Sequence, residues 1–241
     1  MQTQLSYFDD TYKFNDHTMI IATNKDDSGH FIILNQTIFY PQGGGQPSDQ
    51  GTIQVGDVRM PIHSVKSVDN EIRHYTDQSY SHLVGQTGTC MVDQDLRLLH
   101  ARLHTSGHLI SNIIESQYPH WQASKGHHFP DQCYVEFTAK NGSVENISLE
   151  WINKEIEQHI AKDCLTTIDQ ITGDKVQELC PTLTYTIPKD QPIRVIRIGD
   201  FPFSPCGGTH VKSLSELKGL NLIKYKIKKN TMKVYYDIEK C

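Results

Sequence analysis

The chain has 241 residues, of which 21% are charged and 37% hydrophobic, with a net charge of −5. That length buries a sizeable core and permits one or two domains. The acidic balance argues against a protein that coats nucleic acid without specificity, and no run of ~18 apolar residues exists to span a membrane. The first residues, Met1 to Leu5, have no basic or apolar leader character, so the expected location is the cytosol. Six cysteines lie far apart with no Cys-x-x-Cys, which suits reduced thiols better than disulfides. Cys241 reads as a terminal straggler.

From Tyr12 to about Cys90 the chain reads as short strands and turns. Thr18 to Thr23, His30 to Phe39, Gly51 to Val55, Arg59 to Val68 and Ile72 to Tyr75 are β-branched or apolar runs broken by Asp, Asn and Gly. The expectation is an N-terminal β-barrel domain over residues 1–89, followed by a mixed α/β domain over 90–241, an α+β chain overall. Within the first part, Phe39 to Gly51 contains Gly43-Gly44-Gly45-Gln46. Consecutive glycines allow φ > 0 and let backbone N–H groups approach another molecule. A wide turn and a loop bordering a substrate pocket, with Gln46 offering a donor and an acceptor, are both compatible with this stretch.

A long helix is expected through Gln117, capped by Asp93 or Asp95, with Leu96, Leu99, Leu103, Ile110, Ile113 and Ile114 at helical spacing. His104 and His108 are four apart and share one face. His100 continues the stripe, but eight helical residues rise ~12 Å, so one ion cannot take both His100 and His108. Next the sequence suggests a loop from Ser124 to Pro130, a strand from Cys133 to Thr138, a turn at Asn141-Gly142 and a strand to Ile147. A second helix, capped by Ser148, runs to about Cys164. A short helix from Asp174 to Leu179 is stopped by Cys180-Pro181. Ile193 to Ile198 is a strand, and Leu220 to Ile227 with Met232 to Ile238 a hairpin around Lys229-Asn230.

Ser204-Pro205-Cys206-Gly207-Gly208-Thr209-His210 supplies a thiol and an imidazole from a loop. Together with His104 and His108 this makes an N/S donor set suited to a tetrahedral divalent ion, zinc first. Four protein ligands would make a closed structural site and three plus water an open one. The sequence leaves both open. From Val211 onward eight lysines stand against three acids. Lys224, Lys226, Lys228 and Lys229 are candidates for contact with RNA phosphates, with a solvated hairpin face as the bland alternative.

Three stretches in order, Phe39 to Asp49, His104-Thr105-Ser106-Gly107-His108 and Cys206-Gly207-Gly208-Thr209-His210, resemble the editing region of alanyl-tRNA synthetases and the free-standing AlaX proteins. The resemblance covers nearly the whole chain, and the glycine-rich stretch is similar to that of the medium-length AlaX class. It implies zinc-dependent hydrolysis of mischarged tRNA(Ala), chiefly seryl and also glycyl, with His104, His108, Cys206 and His210 at the metal positions. It implies a pocket role for Gln46, and Thr37 matches a recurrent threonine. Thr209 joins these two as a polar candidate for recognising a serine hydroxyl. Ser106 and Gly107 stand where alanine is common in the family, which is expected to change packing rather than chemistry. No segment suits ATP-dependent activation. A non-enzymatic RNA-binding module with a structural zinc, and a zinc hydrolase for another small ester, are the rival readings; the oligomeric state is open.

Overall fold

The computed structural model describes residues 3–142, 144–180 and 192–239; Pro181 and Cys241 lie outside them. The chain divides into two compact units, Met1–Ala101 and Arg102–Cys241. The dividing point falls within helix α1 (Gln94–Gln117). Asp93 caps this helix, its side chain accepting from the Leu96 N–H at 3.0 Å, as the sequence suggests.

The first unit is built from strands β1 (Gln4–Leu5), β2 (Asn15–Asp26), β3 (Gly29–Leu34), β4 (Gln36–Thr37), β5 (Gly51–Val55), β6 (Val58–Ile62), β7 (Ser64–Val68), β8 (Glu71–Thr76) and β9 (Thr87–Val92). β1 pairs with β4, and the other seven form one sheet in the order β6-β5-β9-β2-β3-β8-β7. The β-rich reading therefore holds, but the barrel does not: no ladder joins the end strands β6 and β7, so the sheet is open. These strands follow one another with only His63 between them, too short a link for the antiparallel pairing that a hairpin turn permits. The run from Arg59 to Val68 is accordingly broken in two.

Local chemistry sets this register. β7 and β8 pair from Ser64↔Tyr75 to Val68↔Glu71, and Asp69 and Asn70 between them take φ of 51° and 65°. Two successive left-handed residues make the turn whose twist matches paired strands. The inward side chains Ile20, Ile32, Leu34, Phe39, Ile53, Met60, Ile62 and Val65 form one buried cluster. Gly51, the last residue of the glycine-rich stretch, has no room for a Cβ, which would sit 2.1 Å from the Met91 carbonyl oxygen.

In the second unit, β10 (Trp121–Phe129), β11 (Gln132–Ala139), β15 (Leu220–Lys228) and β16 (Thr231–Ile238) make an antiparallel sheet in the order β10-β11-β16-β15. A smaller sheet joins β12 (Thr166–Thr172), β13 (Pro192–Ile198) and β14 (Ser204–Pro205). Helices α2 (Leu149–Ala161) and α3 (Gly173–Leu179) complete the described elements of any length. Cys133, Val135, Phe137, Met232, Val234 and Tyr236 are buried on one sheet face, and Leu103, Ile110, Ile113 and Ile114 of α1 are buried too. The Tyr236 hydroxyl donates to the Leu103 carbonyl at 2.9 Å, tying that face to the helix.

Two expectations fail here. Ser124 to Pro130 is not a loop: residues up to Phe129 belong to β10, with a register shift between Ala123 and Lys125. Ser, Lys, Gly and His are weak strand formers, yet pairing with β11 overrides them. No strand leads to Ile147, since residues 144–147 carry no ladder. β11 already has β10 on one side and β16 on the other, so a further strand finds no edge there.

Candidate metal centre

The second unit gathers the predicted ligands. His104 and His108 project from one face of α1, their ring centroids 5.2 Å apart. Cys206 and His210 come from the loop after β14, where the strand hands over to Gly207-Gly208. One donor atom from each of the four residues lies within 4.8 Å of every other. The Cys206 Sγ is 3.5 Å from His104 Nε2 and 3.2 Å from His210 Nε2. A tetrahedral zinc with N at ~2.05 Å and S at ~2.3 Å sets ligand-to-ligand edges of roughly 3.3–3.6 Å. The donor set and its spacing therefore fit such an ion. His100 is not in this group.

Burial is the main electrostatic influence on these groups. It holds His104 and His210 well below the ordinary imidazole range and lowers His108 to about 4, with nearby Arg194 adding to each effect. The imidazoles are thus neutral at pH 7 and keep a lone pair for a metal. Burial also raises the Cys206 thiol, opposed by the Gly208 N–H, which points at its sulfur at 3.4 Å. A bound cation reverses that balance, since a metal ligates thiolate.

Several residues that the sequence did not single out hold the ligands. Thr105, next to His104 but buried on the helix, meets His210 Nδ1 at 3.1 Å through its hydroxyl, which also accepts from the Val211 N–H at 3.2 Å. An imidazole that binds metal through Nε2 carries its proton on Nδ1, so Thr105 is placed to accept that proton's hydrogen bond. Arg194, on β13, donates to the Cys206 carbonyl at 2.6 Å, and the Cys206 N–H returns a bond to the Arg194 carbonyl at 3.1 Å. The Cys206 backbone is clasped from both directions.

His128 is the largest omission. Its ring stacks on His104, centroids 4.7 Å apart and planes 24° apart. Its Nδ1 is 2.5 Å from the Tyr236 hydroxyl. Because that hydroxyl donates to Leu103, it accepts here, so Nδ1 carries the proton. Burial lowers His128 to about 3, so it stays neutral. A Cβ at Gly107 would lie 2.2 Å from the His128 ring and one at Gly126 2.3 Å. Gly107, expected to change packing rather than chemistry, leaves the space in which a fourth imidazole sits. One signal could have found His128: in a strand through Gly126, alternation puts His127 and His128 on opposite faces.

The other candidates lie elsewhere. Thr209 is buried within the Cys206 loop. Lys224, Lys226 and Lys228 are exposed along β15, and Lys229 stands at the hairpin turn. In the first unit Gln46 is fully buried, its N–H bonded to the Gly43 carbonyl at 2.8 Å, and Gly43 in turn donates to the Gln46 carbonyl. Gly44 and Gly45 between them have φ of 53° and 78°, so the triple glycine closes a tight turn. The Thr37 hydroxyl is 2.8 Å from His74 Nε2. His74 Nδ1 donates to the Ile32 carbonyl at 3.1 Å, and burial lowers His74 to about 4. Nε2 of this neutral ring is therefore an acceptor, and Thr37 gives it its proton.

Two known families match parts of the chain: the class II (A) tRNA synthetases over residues 3–96, and the second additional domain of threonyl- and alanyl-tRNA synthetases over residues 193–234. The chain is 28% identical over 234 residues to the alanyl-tRNA editing protein AlaX-L of Pyrococcus horikoshii, covering 95% of this chain and 56% of that protein. It is 28% identical over 260 residues to the alanyl-tRNA editing protein AlaX-M of Methanosarcina barkeri, covering 98% and 99%. Over 195 residues it is 31% identical to the alanine–tRNA ligase of Carboxydothermus hydrogenoformans, covering 76% of this chain and 21% of the ligase.

Proposed function

We propose that this chain, which belongs to the AlaX family of alanyl-tRNA editing proteins, is a zinc-dependent hydrolase that deacylates mischarged tRNA(Ala) in trans, chiefly the seryl and also the glycyl ester. The observation that carries the reading is the convergence of His104, His108, Cys206 and His210 on one point. Zinc held there would supply a Lewis acid for the ester carbonyl or for water, whose pKa falls from 15.7 to ~7 on such an ion.

The chain's own residues do the rest. Thr105 and Arg194 fix His210 and Cys206, and His128 braces His104. The positive Arg194, close enough to depress three imidazoles, favours the negative charge that develops on an ester oxygen during attack. The ester is already activated, so placing water and holding that charge accounts for most of the demand. The family resemblance implies a part in recognising the amino acid for Gln46 and Thr37 of the first unit and for Thr209 of the second. A pocket that bonds the serine hydroxyl discriminates against alanine by ~10⁴ or more.

The test is release of amino acid from Ser-tRNA(Ala), Gly-tRNA(Ala) and Ala-tRNA(Ala) by protein of measured zinc content. The seryl ester should be cleaved fastest and the alanyl ester spared. Cys206→Ala and chelated protein should be inactive. If zinc-loaded protein releases neither serine nor glycine above background, the reading is wrong.

A further inference from the structure

The four-stranded sheet of the second unit has an outward face as well as the face that packs against α1. Register defines what stands on it. His127 pairs with Tyr134, Tyr134 with Tyr235, and Tyr235 with Lys224, so these four form one row across all four strands. The next row is Lys125, Glu136, Lys233 and Lys226. Lys228, opposite Thr231, and Asp237 extend the same face. Five lysines thus meet two acids on this surface of a chain whose net charge is −5.

The rings and lysines are organised together. His127 lies parallel to Tyr134, with centroids 5.0 Å and planes 3° apart, and Phe129 adds a ring 4.5 Å from His127. Tyr134 and Tyr235 follow at 5.7 Å. The Lys233 ammonium sits 4.5 Å over the Tyr134 ring and the Lys224 ammonium 5.2 Å over Tyr235. Lysines held over rings lose less freedom when they meet a phosphate. Protection of an edge strand explains lysines on β15. Lys233 on the central strand β16 is ion-paired with its cross-strand neighbour Glu136 at 3.3 Å, but neither that pair nor edge protection explains a row of rings reaching β10.

We propose that this face is an RNA-binding surface, on which the exposed Lys224 and Lys226 take backbone phosphates and the half-buried His127 and Tyr235, braced by the buried Tyr134 between them, take an unpaired base. A four-stranded sheet whose central strands carry aromatic side chains is one of the recurrent solutions for stacking unpaired bases. Because His127 and His128 are neighbours on opposite faces, the row stands across the sheet from the imidazole cluster. RNA held on it is anchored away from the reacting ester and raises affinity without entering the chemistry. The proposal rests on the function proposed above only for which RNA is bound.

The experiment measures binding of fluorescein-labelled deacylated tRNA(Ala) transcript to the full chain at two salt concentrations. It compares Lys224→Glu/Lys226→Glu with Lys154→Glu/Lys175→Glu, an equal charge change on exposed lysines of α2 and α3. The first pair should weaken binding at least ~10-fold and lower the salt slope by about 2, with the control pair near wild type. Tyr235→Ala should weaken binding by ~5-fold or more through lost stacking and lost support of Lys224. In deacylation, the first pair should raise KM and leave kcat unchanged. Equal effects of the two lysine pairs would overturn the proposal, as would an unchanged Kd in both Lys224→Glu/Lys226→Glu and Tyr235→Ala with unaltered thermal melting. If wild-type protein binds the transcript through this face yet hydrolyses no mischarged ester, the editing function fails and this surface stands. Normal deacylation with an unchanged KM in the variants overturns the surface and leaves the editing function standing.

Discussion

Both units bury polar groups, but they resolve them in opposite ways. In the first, two buried sets, one around Asp49 and Arg97 and one around Thr37 and His74, are matched donor to acceptor. Asp49 and Arg97 are both fully buried. The carboxylate receives the guanidinium and the Tyr40 N–H at 2.6 Å, and Arg97 also reaches the Thr11 carbonyl at 2.9 Å and the Ile38 carbonyl at 2.5 Å. This pair ties the start and end of the glycine-rich stretch to α1. Thr37, His74 and Ile32 form a second closed chain. In the second unit, three neutral imidazoles and a thiol turn their donor atoms on one another, an arrangement whose natural complement is a cation. Buried polar groups that satisfy each other build structure, and buried lone pairs that converge build a binding site.

The contrast can be broken at each end. The largest effect is expected at the converging set: Cys206→Ala or His104→Ala should lower zinc affinity by well over ~100-fold, more than the loss typical of a supporting residue, measured by chelator competition. In the first unit, Asp49→Ala leaves Arg97 buried without its partner and should cost about 3–5 kcal/mol, read as the midpoint of denaturant unfolding. Asp49→Leu/Arg97→Met should recover much of that loss, because a well-packed apolar pair can replace a buried ion pair.

His74 sharpens the comparison through pH. Its folded pKa of about 4 lies below the ordinary 6.5, so the unfolded chain binds more protons between these values. Stability should therefore rise from pH 4 to 6.5 and be lost as pH falls through that window, by at most about 3 kcal/mol. His74→Gln should flatten this dependence in urea unfolding measured across that range.

Smaller effects should follow around His128. Gly107→Ala places a methyl 2.2 Å from the ring and should cost about 1–3 kcal/mol, a loss that Gly107→Ala/His128→Ala should partly relieve in thermal melts. Thr105→Val removes the partner of His210 Nδ1 and should weaken zinc by ~10-fold or more. If Thr105→Val leaves zinc affinity unchanged, the support assigned to that hydroxyl is wrong.

Much of this was readable along the chain. The 3.6-residue period and a cap at Asp93 or Asp95 announced α1, and four-residue spacing put His104 and His108 on one face. The Gly-rich segment around Cys206 marked the second pair of ligands. The hairpin of β15 and β16 followed from alternation around Lys229-Asn230. These are local properties, fixed by backbone periodicity and turn chemistry within about a dozen residues.

What local chemistry did not contain, tertiary pairing decided. A Ser-Lys-Gly-His-His segment became a strand because β11 offered it an edge, and that register aimed His128 inward and His127 outward. Gly107 and Gly126 acquired their meaning only when α1 and β10 met across one imidazole. The sheet of the first unit stayed open because a single residue separates β6 from β7, and edge partners are chosen by chain connectivity rather than by strand propensity. The sequence by itself determined which residues could bind a metal and which helix would carry two of them. The fold alone decided what holds those ligands in place, because contacts between residues far apart in the chain depend on register, and register is a property of the whole sheet.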